Sequence, residues 1–204
     1  MDISAEQVRR LREITGAGMM DCKRALEETG GDLEQAQALL REKGLAAAAK
    51  RSGKTASEGV VEAYIHGGGS MGVLVEVNCE TDFVANTDEF RQLAKDIALQ
   101  VAGYDPWWIS RDDVPPEVVA QERKIYETQA REQGKPDNVI DKIVDGKLES
   151  FYREQVLLEQ PFFRDESKKQ TVAERIAEVV SKVNEKIDVR RFARFVRGED
   201  LAGT

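Results

Sequence analysis

A single histidine and two cysteines, Cys22 and Cys79, leave these 204 residues little material for catalysis. One imidazole cannot build a zinc site from the usual ligand sets. Two cysteines make neither a disulfide framework nor a metal-ligand pattern, and free thiols fit a reducing compartment. No cofactor and no catalytic centre are expected. Long apolar runs are missing too: none approaches the ~20 residues that a bilayer-spanning helix needs. The opening Met1-Asp2-Ile3-Ser4-Ala5-Glu6 lacks the basic and apolar regions of a secretory signal, so a cytoplasmic chain with no membrane partner is expected. Positive charge is short as well. A net charge of -8 and a pI near 5.0 disfavour a protein that holds phosphate backbones, although an acidic total can hide a local basic patch. A basic protein surface is the better match, and no direct nucleic-acid partner is expected.

Two chemical possibilities fail on geometry. Gly67-Gly68-Gly69-Ser70-Met71-Gly72 spells G-x-G-x-x-G, but the dinucleotide mechanism needs a helix after the glycines, and here a strand pattern follows. A hairpin tip is the better reading. Cys79 and His66 are the one conceivable thiol-imidazole pair. In an antiparallel hairpin they fall at opposite ends, separated by about seven residues or roughly 24 Å.

The organisation reads as α+β. Ser4 and Gln7 have capping-box spacing for a helix burying Val8, Leu11 and Ile14. A second helix runs from Met19 to about Thr29. Asp32 caps a third, carrying Leu33, Ala36, Leu39 and Leu40 and closing at Lys43-Gly44. This three-helix domain (1–50) has a very small core, and residues 51–58 form a linker. The period then changes: Val61, Ala63 and Ile65 share one strand face, and Val73, Val75, Val77 and Cys79 share another. A helix from near Thr87 completes an α+β core with antiparallel strands (59–116). Helices on either side of Gly134-Lys135-Pro136 predict a helical hairpin projecting from the body (117–158), with Val118, Ile125 and Tyr126 as anchors of its first arm. The rest (159–204) supplies a helix from Thr171 and a strand, Ile187 to Arg197. Its phenylalanines fall on both parities, which requires a bulge or two covered faces.

Two segments stand out from this scaffold. Thr15 to Lys23 places Met19 and Met20 side by side at a helix start. One can tuck inward; an exposed one is suited to an adaptable protein-binding surface. Glu80 to Asn86 follows a buried strand directly. It is either a core plug at Phe83 with a local cap at Asp82, or a loop presenting an aromatic wedge beside a carboxylate, a hard ligand able to disturb a metal site.

Together these segments resemble the elongation factor Ts family. The likeness rests on Leu11-Arg12-Glu13-Ile14-Thr15-Gly16-Ala17-Gly18-Met19-Met20-Asp21-Cys22-Lys23 and on Val75-Glu76-Val77-Asn78-Cys79-Glu80-Thr81-Asp82-Phe83-Val84-Ala85. Gly134-Lys135-Pro136, Glu159-Gln160-Pro161-Phe162 and Arg190-Arg191-Phe192-Ala193-Arg194-Phe195 support it, so it spans nearly the whole chain. The resemblance implies guanine nucleotide exchange on the GTPase elongation factor Tu, with no bond made or broken. It implies a UBA-like N-terminal domain touching the partner through Arg12, Met19 and Met20, and a coiled coil at the hairpin. It also implies a loop, Thr81, Asp82, Phe83 and Val84, that dislodges the partner's magnesium with Phe83 as wedge. Longer relatives carry a second core subdomain that this chain lacks; short ones pair instead. A homodimer around the C-terminal β segment is therefore expected, without a disulfide, since that segment has no cysteine. The rival readings are a UBA-like adaptor, an RNA-binding translation protein and a cysteine-dependent enzyme.

Overall fold

Ser4 fixes the start of the first helix. In the computed structural model, which describes residues 3–199, its hydroxyl accepts from the Gln7 N–H at 3.2 Å. The Gln7 side-chain oxygen in turn accepts from the Ser4 N–H at 3.0 Å, completing the capping box. Helix α1 spans Ala5–Thr15, α2 spans Met19–Glu28 and α3 spans Leu33–Arg51. Asp32 caps α3 by accepting from the Gln35 N–H at 2.9 Å. Val8, Leu11, Cys22, Ala25, Leu26 and Ala36 form the small core these helices share. Two expectations are corrected here. Ile14 is exposed, and α3 does not close at Lys43-Gly44 but runs on to Arg51. Gly44 is a buried helical residue facing the Ala177 carbonyl oxygen, 3.5 Å from where a Cβ would lie. That is an ordinary van der Waals distance, so the position needs neither a left-handed stop nor the absence of a side chain.

The sheet has three antiparallel strands in the order β1-β2-β3, with β1 at Glu58–His66, β2 at Met71–Cys79 and β3 at Ile187–Val196. Gly59 lies against Val77 and Asn78, and Gly72 against Ile65, so the hairpin register is the one its alternation predicts. Val73, Val75, Val77 and Cys79 are all buried. Val61 and Ile65, which share the other face, are exposed. In β3 the parity of burial changes midway. Ile187 and Val189 are buried, Arg190 and Arg191 are both exposed, and Phe192, Arg194 and Val196 are then half-buried. One extra residue at Arg190-Arg191 has that effect.

Helix α4 is a single turn, Asp82–Ala85, and α5 spans Asp88–Tyr104. Helices α6 (Pro116–Glu132) and α7 (Asp137–Gln155) pack along Ala130, Ile140, Val144 and Leu148, with Tyr126 and Val119 at the margin. Ile125, expected as an anchor, is exposed instead. Gly134, at φ 69°, makes the turn between them. Helix α8 spans Val172–Val183. The chain is thus helix-rich with one small sheet, an α+β protein. None of its described helices is long and apolar enough to cross a membrane.

Two compact units divide the chain: Met1–Glu62, Val75–Lys95 and Ala173–Arg190 in one, Ala63–Leu74, Asp96–Val172 and Arg191–Thr204 in the other. In the second, two buried glutamines lock α5 to the segment after α7. Gln100 Nε2 donates to Gln160 Oε1 (3.1 Å) and to the Pro161 carbonyl (3.2 Å), while its Oε1 accepts from the Phe163 N–H (3.0 Å). Gln160 Nε2 donates to the carbonyls of Tyr104 (3.1 Å) and Glu154 (2.7 Å). Removing one amide strands buried groups on the other side. Gln100→Leu is expected to lower stability by about 2–4 kcal/mol, read as a fall in the urea midpoint at unchanged slope.

Candidate partner-binding site

β2 ends with Cys79 buried, and the chain must leave the sheet without stranding its backbone groups. It does so through two carboxylates. Glu80 Oε1 accepts from the Lys186 N–H at 2.7 Å and from Arg51 Nη1 at 3.0 Å. Glu185 accepts from the Thr81 N–H at 3.0 Å and from the Thr81 hydroxyl at 2.7 Å. The Cys79 thiol donates to the Thr81 carbonyl at 3.1 Å. Thr81 then caps α4, its hydroxyl oxygen accepting from the Val84 N–H at 3.3 Å. Thr87 Oγ1 donates to the Val84 carbonyl at 2.7 Å and accepts from the Phe90 N–H at 3.3 Å, starting α5.

This bracing decides between the two sequence readings of the loop. Val84 is buried and anchors the turn. Phe83 is not a core plug: 79% of it is exposed, on a backbone held at both ends. The local cap is Thr81 rather than Asp82. Asp82 is exposed, and its carboxylate makes no hydrogen bond or ion pair among the described residues. An aromatic ring and a free carboxylate therefore stand side by side at a rigid corner. Burying such a ring against a partner is favourable, and little ordering entropy remains to be lost.

The second segment belongs to the same unit. Gly16, at φ 64°, ends α1 with its N–H donating to the Arg12 carbonyl at 2.7 Å. That left-handed backbone favours glycine, and the flexible end of the Lys182 side chain occupies the space a Cβ would take. Lys182 itself bonds Glu89 at 2.9 Å. Both methionines face outward, Met19 at 58% and Met20 at 64% exposure, beside exposed Arg12 and Ile14. Neither is tucked inside. Sequence reading missed Glu80, Glu185 and Arg51 as the residues that hold the loop; Glu185 lies 104 positions from its partner, and nothing local marks it.

Cys79 is fully buried, and burial, reinforced by Glu185, pushes its thiol up to about 11, which keeps it protonated and unreactive at neutral pH. His66 ends β1 at the hairpin turn, its Nδ1 2.7 Å from the Tyr64 hydroxyl. Among the described residues no group of three or more His, Cys, Asp or Glu side chains is placed to hold a metal ion.

Comparison with known proteins decides the family. A family model described as elongation factor TS matches residues 5–169. Elongation factor Ts of Caldanaerobacter subterraneus subsp. tengcongensis is 60% identical over 199 residues, covering 98% of this chain and 98% of that one. The chain belongs to the elongation factor Ts family. The protein of that name from Carboxydothermus hydrogenoformans is 58% identical over 98% of this chain and 91% of its own length, and that from Moorella thermoacetica 57% over 98% and 97%. Membership makes the chain an elongation factor of protein biosynthesis, with a nucleotide exchange role.

The corner's dependence on Glu80 has a pH signature. The Lys186 N–H, and after it Arg51, hold the Glu80 carboxyl below the usual range of about 4.3. The native state then binds fewer protons than the unfolded chain, so the stabilisation is present above that range and lost as pH falls through the lowered value. Thermal midpoints followed from neutral pH to pH ~3 are expected to fall more steeply in the wild type than in Glu80→Gln, which lacks the titrating group.

Proposed function

We propose that the chain binds elongation factor Tu in its GDP form and promotes GDP release by inserting the Thr81–Val84 corner at the magnesium and phosphate site. The observation that carries this is the exposed Phe83 ring on a backbone fixed by Glu185, Cys79 and Thr87. A wedge that must disturb another protein's packed site has to hold its own direction, and the hydrogen bonds under this turn serve that. Asp82 supplies a carboxylate that competes for the region around a hard cation. Arg12, Met19 and Met20 form the second contact, where flexible thioethers adapt to the partner's surface. In this reading the first three helices are a UBA-like module, α6 and α7 are the coiled coil, and the protein works in the cytoplasm.

Exchange then follows from linkage. If the factor weakens GDP by some ratio, GDP weakens the factor by the same ratio, and GTP in excess reloads the vacated site. Each tenfold change corresponds to about 1.4 kcal/mol of coupling. Release of a fluorescent GDP from elongation factor Tu is expected to accelerate at micromolar concentrations of this protein. Phe83→Ala should reduce that acceleration about ten- to hundredfold, the effect of removing a central aromatic anchor. Its own stability should move by no more than about 0.5 kcal/mol, because the ring is exposed. Wild-type protein that leaves GDP release unchanged would overturn the reading.

The same proposal includes a homodimer through the sheet. The face opposite the buried valines carries Ile65 and Leu74 exposed, with Phe195, 68% exposed, on β3. Ala63 and Ala193 complete this apolar surface, and both outer strands are edges. A flat apolar face beside open edges suits a second copy. Sedimentation velocity at tens of micromolar is expected to give a dimer for the wild type and a monomer for Phe195→Glu. A wild type that stays monomeric there removes the dimer and leaves the exchange proposal standing.

A further inference from the structure

Trp107 is out of place for an unused residue. Its backbone is pinned: the N–H groups of Trp107 and Trp108 both donate to the Gln155 carbonyl, at 2.9 and 3.2 Å. The Leu157 N–H donates to the Trp108 carbonyl at 2.8 Å, and the Leu158 N–H to that of Ile109 at 3.0 Å. The indole on this rigid strip is nevertheless 64% exposed. It forms one wall of an open groove of about 430 Å³ at the base of the α6–α7 pair, with Phe151 and Tyr126 also lining it.

The carboxylates of the groove outnumber its cation. Two carboxylates line the groove, Glu122 and Glu154, and no ion pair engages either among the described residues. The Tyr126 hydroxyl is pushed up to about 12 by burial first, then by its hydrogen bond to Glu122 and by the charges of Glu122 and Glu154. Lys147, the cation among the lining residues, donates to Gln129 Oε1 at 2.6 Å and sits 5.2 Å from the centre of the Tyr126 ring. The groove therefore keeps an excess of negative charge and an indole face. An aromatic face beside carboxylates attracts a cation.

We propose that this groove receives an arginine side chain from an extended segment of a partner protein, stacked on Trp107 and donating to the Glu154 carboxylate. Arginine fits better than lysine. Its planar guanidinium lies flat on an indole while its edge presents several donors in fixed directions, whereas an ammonium stacks poorly and is more tightly hydrated. The groove lies wholly within the second unit and involves neither the Phe83 corner nor the outer sheet face. The inference is therefore independent of the exchange reading.

The test uses the full chain and Nα-acetyl-arginine amide as probe. Trp107 and Trp108 are the chain's two tryptophans, so their indole N–H signals are assigned by Trp107→Phe. Titration is expected to shift the Trp107 signal saturably with millimolar affinity, the strength of a few surface contacts. The lysine analogue should bind at least threefold more weakly, and the norleucine analogue should produce no saturable shift. Glu154→Gln should weaken the arginine probe about three- to tenfold while leaving the thermal midpoint unchanged, since Glu154 is exposed. A response to norleucine equal to that of arginine makes the groove an apolar site and overturns the proposal. Lysine binding as well as arginine overturns the guanidinium assignment. A shift on concentrating the protein alone would give the groove to a second copy instead.

Discussion

Glu80 and Glu185 form hydrogen bonds on either side of the point where the chain leaves β2, and the corner's rigidity rests on them. A strand buried to its last residue ends with backbone donors that water cannot reach, and a loose turn there would leave them unpaired. Glu185 accepts from both the backbone and the hydroxyl of Thr81. Glu80 reaches the backbone of Lys186, next to Glu185, and Arg51 at the end of α3. Arg51 also donates to Asn184 Oδ1 at 2.5 Å. The end of α3, the turn after α8 and the exit from β2 are thereby held as one piece. Phe83 stands on that piece, which is why an exposed ring can keep a defined direction.

Much of this was readable from local sequence. Ser4 with Gln7, Asp32 with its helix, and Gly134-Lys135-Pro136 act on neighbours within a few residues, so their letters carry their structure. The alternation of β2 survives because one face is wholly buried. What failed to show was decided at long range. Gly44 carries the same letter whether it stops a helix or lies inside one, and the residue it packs against, Ala177, is far away in the chain. The Gln100–Gln160 pair spans 60 positions, and nothing local in Glu159-Gln160-Pro161-Phe162 announces it. For the candidate site, sequence gave the outward-facing segments, while the direction of Phe83 and of both methionines depended on what holds the turns beneath them.

The two units divide their chemistry differently. In the first, charged groups fix a projecting hydrophobic ring, and Lys182 ties the α1–α2 turn to α5 through Glu89. In the second, the fixed elements are neutral amides and a backbone strip, while Arg111 spans Glu149 (2.9 Å to Oε1) and Glu159 (2.6 Å to Oε2) at the foot of the helical pair. Guanidinium forks of this kind hold two acidic helix segments at once, which a single lysine could not do with the same geometry. An acidic chain can in this way commit guanidinium groups to internal order and leave its excess carboxylates on the surface.

The change of parity at Arg190-Arg191 gives β3 something like a reading frame. Upstream of it odd-numbered residues are buried; downstream even-numbered ones turn inward, and that single offset puts Phe195 outside and Phe192 and Val196 against the body. Straight alternation over the same number of residues would reverse every side chain beyond the offset. The aromatic ring would go inside, and Arg194 would lose its place beside Asp105, where the two now lie 3.1 Å apart. The extra residue between Val189 and Phe192, rather than the identity of those that follow, decides which face each of them shows.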